Sequence, residues 1–439
     1  MNDIKRLPAK AVYILLAYMP FHIFLVQSLS LLTGGLSVWK AAKDVFLGLA
    51  VLLTIFLVYK HKKQNKIFTL LLILAIAYGL QHLLVWFMQP GIYRPTAILG
   101  TVYNVRVVLF AVLGLGAALL APNYLTEKRV IRLVVIAGTI VAALGVIQYF
   151  LPKDILTNFG YSVARGVKPA FFIDDKVNLP RIMSTLRDPN SLAVYLLVPI
   201  CLTISLLFTN KKARQLYVGA LSLQILALFL TFSRGGWLGA IIAIGSLLAL
   251  HFRSWIHKHI KIISVSAVSA VLVLGIGGYI LRDQYVVQNL ILHSDESTKA
   301  SEDSNELHLR LAKDGAIASF KVPEGHGPGT AGIVSIQNPS GGTLTENYYI
   351  QISYEIGIVG LLIFIGIWGY VLYLLQKKKG ILASSLLASG IAYLALSMLM
   401  HLWTNEAVAA QWWIMVGIVI GMDRSLTHKK IKNITTKNT

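Results

Sequence analysis

Stretches of roughly twenty apolar residues, separated by polar breaks, recur along the whole chain. About twenty residues wound as an α-helix cross the ~30 Å hydrocarbon layer of a bilayer, so each stretch predicts a membrane span. Twelve are expected, at 11–32, 38–59, 67–88, 97–120, 130–150, 190–208, 214–232, 235–252, 260–281, 355–375, 380–401 and 406–422. The breaks alternate in charge. One set carries Lys5, Arg6 and Lys10, then Lys60 to Lys66, Lys128 to Arg132, Lys211 to Arg214, Arg253 to Lys261, Lys377 to Lys379, and Arg424 onward. Cytoplasmic loops carry the excess of Lys and Arg, so this set predicts a cytoplasmic side holding both termini. The first run, from Ala11 past Leu31, is too long for the core of a cleavable signal.

The opposite loops are unequal. Two are long, 151–189 and 282–354, and a loop as long as the second is commonly functional. The expected division is 1–150 (spans one to five), 151–281 (an outer segment and spans six to nine), 282–354 (a large extracytoplasmic loop), 355–424 (spans ten to twelve) and a basic tail, 425–439. Inside the large loop, residues 303–320 show helical spacing, with Leu307, Leu311 and Ala318 on one face and Asp303 with Glu306 as a capping box. "EGHGPGTAG" (324–332) then forces turns. The fold class is therefore all-α, a polytopic integral membrane protein of about twelve helices with one large loop between spans nine and ten.

Composition agrees. Of 439 residues, 56% are hydrophobic and 13% charged, against about 25% charged in soluble domains. The net charge of +21 follows the loop pattern, so it predicts sidedness and contact with anionic membrane lipids rather than nucleic-acid binding. The lone cysteine, Cys201, excludes a disulfide within the chain. No Walker A loop and no strand-linked G-x-G-x-x-G is present, so no nucleotide domain is expected. "HKH" (257–259) reads as a charge patch, and Asp174–Asp175 as too few carboxylates for a metal site.

Polar chemistry gathers where spans meet the second set of loops. In "STLRDPNSLAVYLL" (184–197), Asp188 suits an N-cap and Pro189 the first helical position. A helix start presents unpaired N–H groups and partial positive charge, which suits an anion. Arg181 and Arg187 lie just upstream, and a guanidinium fork matches phosphate oxygens two at a time. A plain capped helix with arginines at the headgroups would carry the same letters. Arg234 in "TFSRGGW" (231–237) and Arg310 on the loop helix are two further outer cations, open equally to headgroup or solvent contact. Arg106 falls within the fourth span, where a charge is costly and points to function or to pairing with Asp44 or a backbone carbonyl. In "TLTENYYIQISYEIGIVGLL" (343–362), Glu346 is a candidate general base whose pKa desolvation would raise, while Glu355 is expected to open span ten. His326 and Glu406 are rival bases.

Taken in order, Arg181 with "STLRDPNSLAVYL", then "TFSRGGWLG", "GHGPGTAG" and "TENYYIQISYEIGIVGLL" resemble the O-antigen ligase and polymerase superfamily of bacterial envelope enzymes. The resemblance covers roughly 145–422, and the earlier spans match it only in hydropathy. It implies metal-independent, inverting glycosyl transfer at the outer face of the plasma membrane, with no cofactor. The donor would be a glycan on undecaprenyl diphosphate, and the acceptor hydroxyl would sit on a lipid or another glycan. It implies that Arg181, Arg234 and Arg310, with Arg187 beside them, hold the diphosphate. Many ligases place His before the Asn of the closing motif; here Glu346 precedes Asn347, a departure that fits a polymerase or another glycan ligase and leaves the base open, with Glu346, Asn347 and His326 as the expected catalytic residues. The alternative from another class is a secondary transporter or flippase for lipid-linked glycan. Transporters of this size usually show repeat halves and broken mid-membrane helices, and no repeat is evident here.

Overall fold

A computed structural model describes residues 3–173, 176–254, 258–259, 304–339 and 341–422. It is an apolar helical bundle. Helices α1 (Leu7–Tyr18) and α2 (His22–Thr33) form the first expected span, interrupted at a 3-10 turn, Met19–Phe21. Pro20 sits in that turn, where its missing N–H and its ring oppose a continuous α-helix. Then follow α3 (Leu36–Lys60), α4 (Lys66–Met88), α5 (Arg94–Leu120), α6 (Glu127–Phe150), α7 (Pro189–Thr209), α8 (Arg214–Leu230) and α9 (Arg234–His251). The large loop contributes α10 (Ser304–Lys321) and a one-turn α11 (Gly332–Ser335), and the bundle closes with α12 (Tyr348–Gln376), α13 (Ile381–Leu396) and α14 (Glu406–Gly421). Among the described residues nine helical stretches are long and apolar enough to cross a membrane, consistent with a polytopic membrane protein, and α13 and α14 are shorter apolar helices. The expected span at 260–281, Asp303 of the expected capping box, His257 and Asp174–Asp175 lie outside the described residues.

Three expectations change. The segment after α6 is not wholly helical or irregular: Phe171–Ile173 (β1) pairs antiparallel with Lys176–Arg181 (β2), Phe171 opposite Arg181. The span expected to open at Glu355 begins at Tyr348, because Asn347 caps it and accepts from the N–H groups of Tyr349 and Ile350. Glu355 therefore ends the first helical segment of α12, fully buried, where Ile356 and Gly357 break the helix. The helices at the spans expected over 380–401 and 406–422 are also shorter than a membrane crossing requires. At 16 residues each, α13 and α14 are about 24 Å long, short of a full crossing. The residues joining them sink into the bundle, with Leu402 and Trp403 buried in an aromatic cluster with Trp368, Tyr393, Trp412 and Trp413.

The tightest helix pair is α5 with α14. A Cβ on Gly417 would lie 2.2 Å from the Ala111 carbonyl oxygen, and one on Gly114 2.2 Å from that of Ile414. Small residues let helices touch backbone to backbone, the usual basis of close packing where water supplies no drive between apolar faces.

Candidate active site

The start of α7 is stitched in place from several elements. Gln148 accepts from the N–H groups of Met183 and Ser184, Ser184 Oγ donates to the Val141 carbonyl, and Thr185 Oγ1 to that of Pro20. Asp188 caps the helix, its carboxylate accepting from the Ser191 N–H at 2.8 Å and the Ser191 hydroxyl at 2.7 Å. Arg181 straps this segment to the α8–α9 turn: its Nε donates to the Thr231 carbonyl at 2.9 Å, its Nη2 to Asn190 Oδ1 at 3.0 Å. Ser233 caps α9 by accepting from the Gly236 N–H. Gly236 is required there, since a Cβ would lie 2.3 Å from that of Ala193.

The start of α7 borders a cavity of about 280 Å³. Arg187, Asp188 and Asn190 line it from α7; Glu346, Ile333 and Leu344 from the large loop; His401, Thr404 and Glu406 from the α13–α14 connection; Tyr103 from α5. Among the described residues, three of the four non-glycine positions with left-handed backbone, Ser184, Phe232 and Glu346, lie in the three sequence motifs that build this end of the bundle. Such positions cost about 1–3 kcal/mol each and cluster at functional sites.

The candidates from sequence separate here. Arg187 and Glu346 line the cavity. Arg181 reaches its wall through Asn190. Arg234 acts electrostatically on His308, which pairs with Glu346 at 3.4 Å. Arg310 is exposed on α10. Asn347 is occupied as the cap of α12 and donates to the Met398 carbonyl. His326 lies outside the cavity wall, stacked on Tyr354 with ring centroids 3.9 Å apart. Its glycine-rich loop is packed, not open: a Cβ on Gly329 would lie 1.9 Å from the Thr96 carbonyl of α5.

Glu346 does not show the raised pKa expected from desolvation. The hydrogen bond from His308 outweighs burial and holds the carboxyl below its ordinary value. The same contact raises His308, against burial and the Arg234 charge. The contact favours the ion-paired form of both groups, and Glu346 presents its negative charge to the cavity.

Beneath the cavity lies a buried ionic network. Glu406 Oε2 meets Lys43 Nζ at 2.8 Å and Arg106 Nη1 at 3.3 Å, and Glu406 Oε1 meets His22 Nε2 at 3.6 Å. Lys43 and Arg106 also reach Asp44, at 3.0 and 3.5 Å. Arg106 takes both partners anticipated for it, Asp44 and a carbonyl, that of Thr404 at 3.1 Å. It lies over the Tyr103 ring at 4.0 Å. Lys43, His22 and His401 carry the sequence signal that singles out Arg106, an ionisable side chain in or beside an apolar run. Among the described residues no group of three or more His, Cys, Asp or Glu is placed to hold a metal ion.

No curated protein matches the chain in sequence. Residues 219–365, from α8 to the middle of α12, match the family model described as O-antigen ligase. That stretch, about a third of the chain, contains "TFSRGGW", the glycine-rich turn and "TENYY", and the match supports the place of this chain in the O-antigen ligase and polymerase superfamily.

Proposed function

We propose that this protein transfers or polymerises glycan from a polyprenyl-diphosphate donor onto an acceptor hydroxyl at the outer face of the bacterial plasma membrane, with both termini cytoplasmic. The family match suggests glycan transfer in envelope polysaccharide synthesis. One observation carries the finer reading: Arg187 and the capped start of α7 share a cavity with Glu346 and His401, at the end of an otherwise apolar bundle. A polyprenyl diphosphate already contains its leaving group, so no nucleotide is required. As the anomeric bond breaks, negative charge builds on the diphosphate. Arg187, with Arg181 and Arg234 nearby, would stabilise that charge. Arg310, exposed on α10, would meet the donor as it enters. An acceptor oxygen attacking opposite the diphosphate inverts the anomeric centre in one displacement, and no step in that displacement calls for a metal. The prenyl tail stays among the spans.

Purified full-length protein in detergent, mixed with lipid extract from cells lacking it, is expected to lengthen or transfer glycan and release polyprenyl diphosphate. Uptake of lipid-linked glycan into sealed proteoliposomes without any transfer in detergent would instead establish the transporter reading. In the same assay Glu346→Gln is expected to slow turnover about ten-fold, the rate equivalent of roughly 1.4 kcal/mol of lost charge stabilisation, with donor binding little changed. A loss of donor affinity that accounts for the whole effect would assign Glu346 to binding.

A further inference from the structure

His401 stands where the chain leaves α13 for α14, 8% exposed and on the cavity wall. Its Nδ1 is 2.7 Å from Gln351 Oε1. The Gln351 side chain also acts on the buried Glu355 carboxyl. That carboxylate already accepts from Asn104 Nδ2 at 2.8 Å and from the Ala331 N–H at 3.4 Å, and Tyr348 Oη donates to Asn104 in turn. The Gln351 carbonyl oxygen is the atom that faces the imidazole, which leaves its NH₂ toward Glu355. A carbonyl only accepts, so Nδ1 carries the hydrogen. Nε2 is then the lone-pair nitrogen of a neutral ring. Among the described residues it is buried with no hydrogen-bond partner, and an orphaned buried acceptor costs about 1–3 kcal/mol. A donor entering the cavity would relieve that cost.

We propose that His401 Nε2 is the proton acceptor of glycosyl transfer, with Gln351 and Glu355 as positioning residues; this rests on the reading of the cavity as a glycosyltransferase site. The acceptor O–H gives its proton to Nε2 while its oxygen forms a bond to the anomeric carbon. The bond from that carbon to the phosphate oxygen breaks, and the diphosphate leaves with the electron pair. The imidazolium then passes its proton to solvent. Burial pushes the His401 pKa down to about 4, opposed by the Glu346 charge and reinforced by His308. The resting ring is therefore neutral and able to accept, and the carboxylate of Glu346 favours the imidazolium once formed. Of the other histidines near this end, His326 is held against Tyr354 outside the wall and His308 is committed to Glu346.

Two measurements on the full-length protein test this. Imidazole ¹⁵N resonances, assigned with His401→Gln, should show His401 as the Nδ1–H tautomer. Gln351→Met should lose that preference. An Nε2–H tautomer in the wild type overturns the proposal without touching the function. In the lipid-extract assay, His401→Gln should lose about 10²–10⁴ of the transfer rate with unchanged thermal unfolding, and His401→Ala should recover part of it with added free imidazole. Gln351→Met should lower the maximal rate without changing the dependence on extract concentration, and it carries the kinetic test should His401→Gln fail to fold. Wild-type rates in His401→Gln, or in Gln351→Met where His401→Gln does not fold, overturn the proposal while transfer stands. A wild-type protein that transfers nothing overturns both readings, whatever the tautomer.

Discussion

Arg187→Ala is expected to insert in normal amount yet transfer glycan about 10²–10³ times more slowly, the usual loss when one pre-aimed donor to a developing anion is removed. Arg187 lines the cavity, on a segment fixed by the Asp188 cap and the Gln148 and Thr185 contacts. A segment held this firmly keeps the cation at the cavity as charge develops, and that is where its advantage over water comes from. Arg234→Ala should fall comparably, because its charge acts at the same end, on His308. Arg181→Ala should lose transfer and thermal stability together, since it also cuts the strap from Asn190 to the Thr231 carbonyl. Membrane-fraction yield, thermal unfolding and released polyprenyl diphosphate separate these outcomes. Normal transfer by all three variants would remove the diphosphate clamp.

Gly417→Val is expected to leave no folded protein. Its first carbon would stand 2.2 Å from the Ala111 carbonyl oxygen and 2.7 Å from the Leu115 nitrogen, both backbone atoms of α5. Overpacking against a movable side chain costs about 1–3 kcal/mol; here the helices themselves must separate, and α5 carries Arg106. Gly245→Ala is the control. Nothing lies within 4 Å of its Cβ position, and removing a glycine from mid-helix contributes about 0.5–1 kcal/mol. Size-exclusion profiles of detergent extracts should show a sharp peak for Gly245→Ala and aggregate for Gly417→Val. A sharp peak for both would mean that α5 and α14 do not depend on that close approach.

The apolar helices were legible because burial in lipid demands long apolar runs, so eleven of the twelve expected stretches overlap described helices, although α12 starts earlier than expected and α13 and α14 fall short of a crossing. Helix caps were legible for a local reason: Asp188, Pro189 and Ser191 lie next to one another in the chain. The failures share a cause. Glu355 looked like a helix opening because a carboxylate inside an apolar run has no visible partner, yet its partner, Asn104, comes from another helix 251 positions away. The pKa of Glu346 turned on His308, which sequence spacing does not bring to it. The pairing of His401 with Gln351 likewise joins two elements that only the sunken α13–α14 connection brings together. Local signals are written in neighbouring residues, whereas convergence depends on how helices pack.

The ionic network beneath the cavity bears on how the protein is made. Lys43 and Arg106 are threaded into the bilayer early, but Glu406, which they share, leaves the ribosome 300 residues after Arg106. Until then the nascent bundle carries two cations with only Asp44 to answer them, and a gap where α14 will sit. A chain interrupted before α14 therefore keeps Lys43 and Arg106 without Glu406, the carboxylate that joins them in the finished bundle.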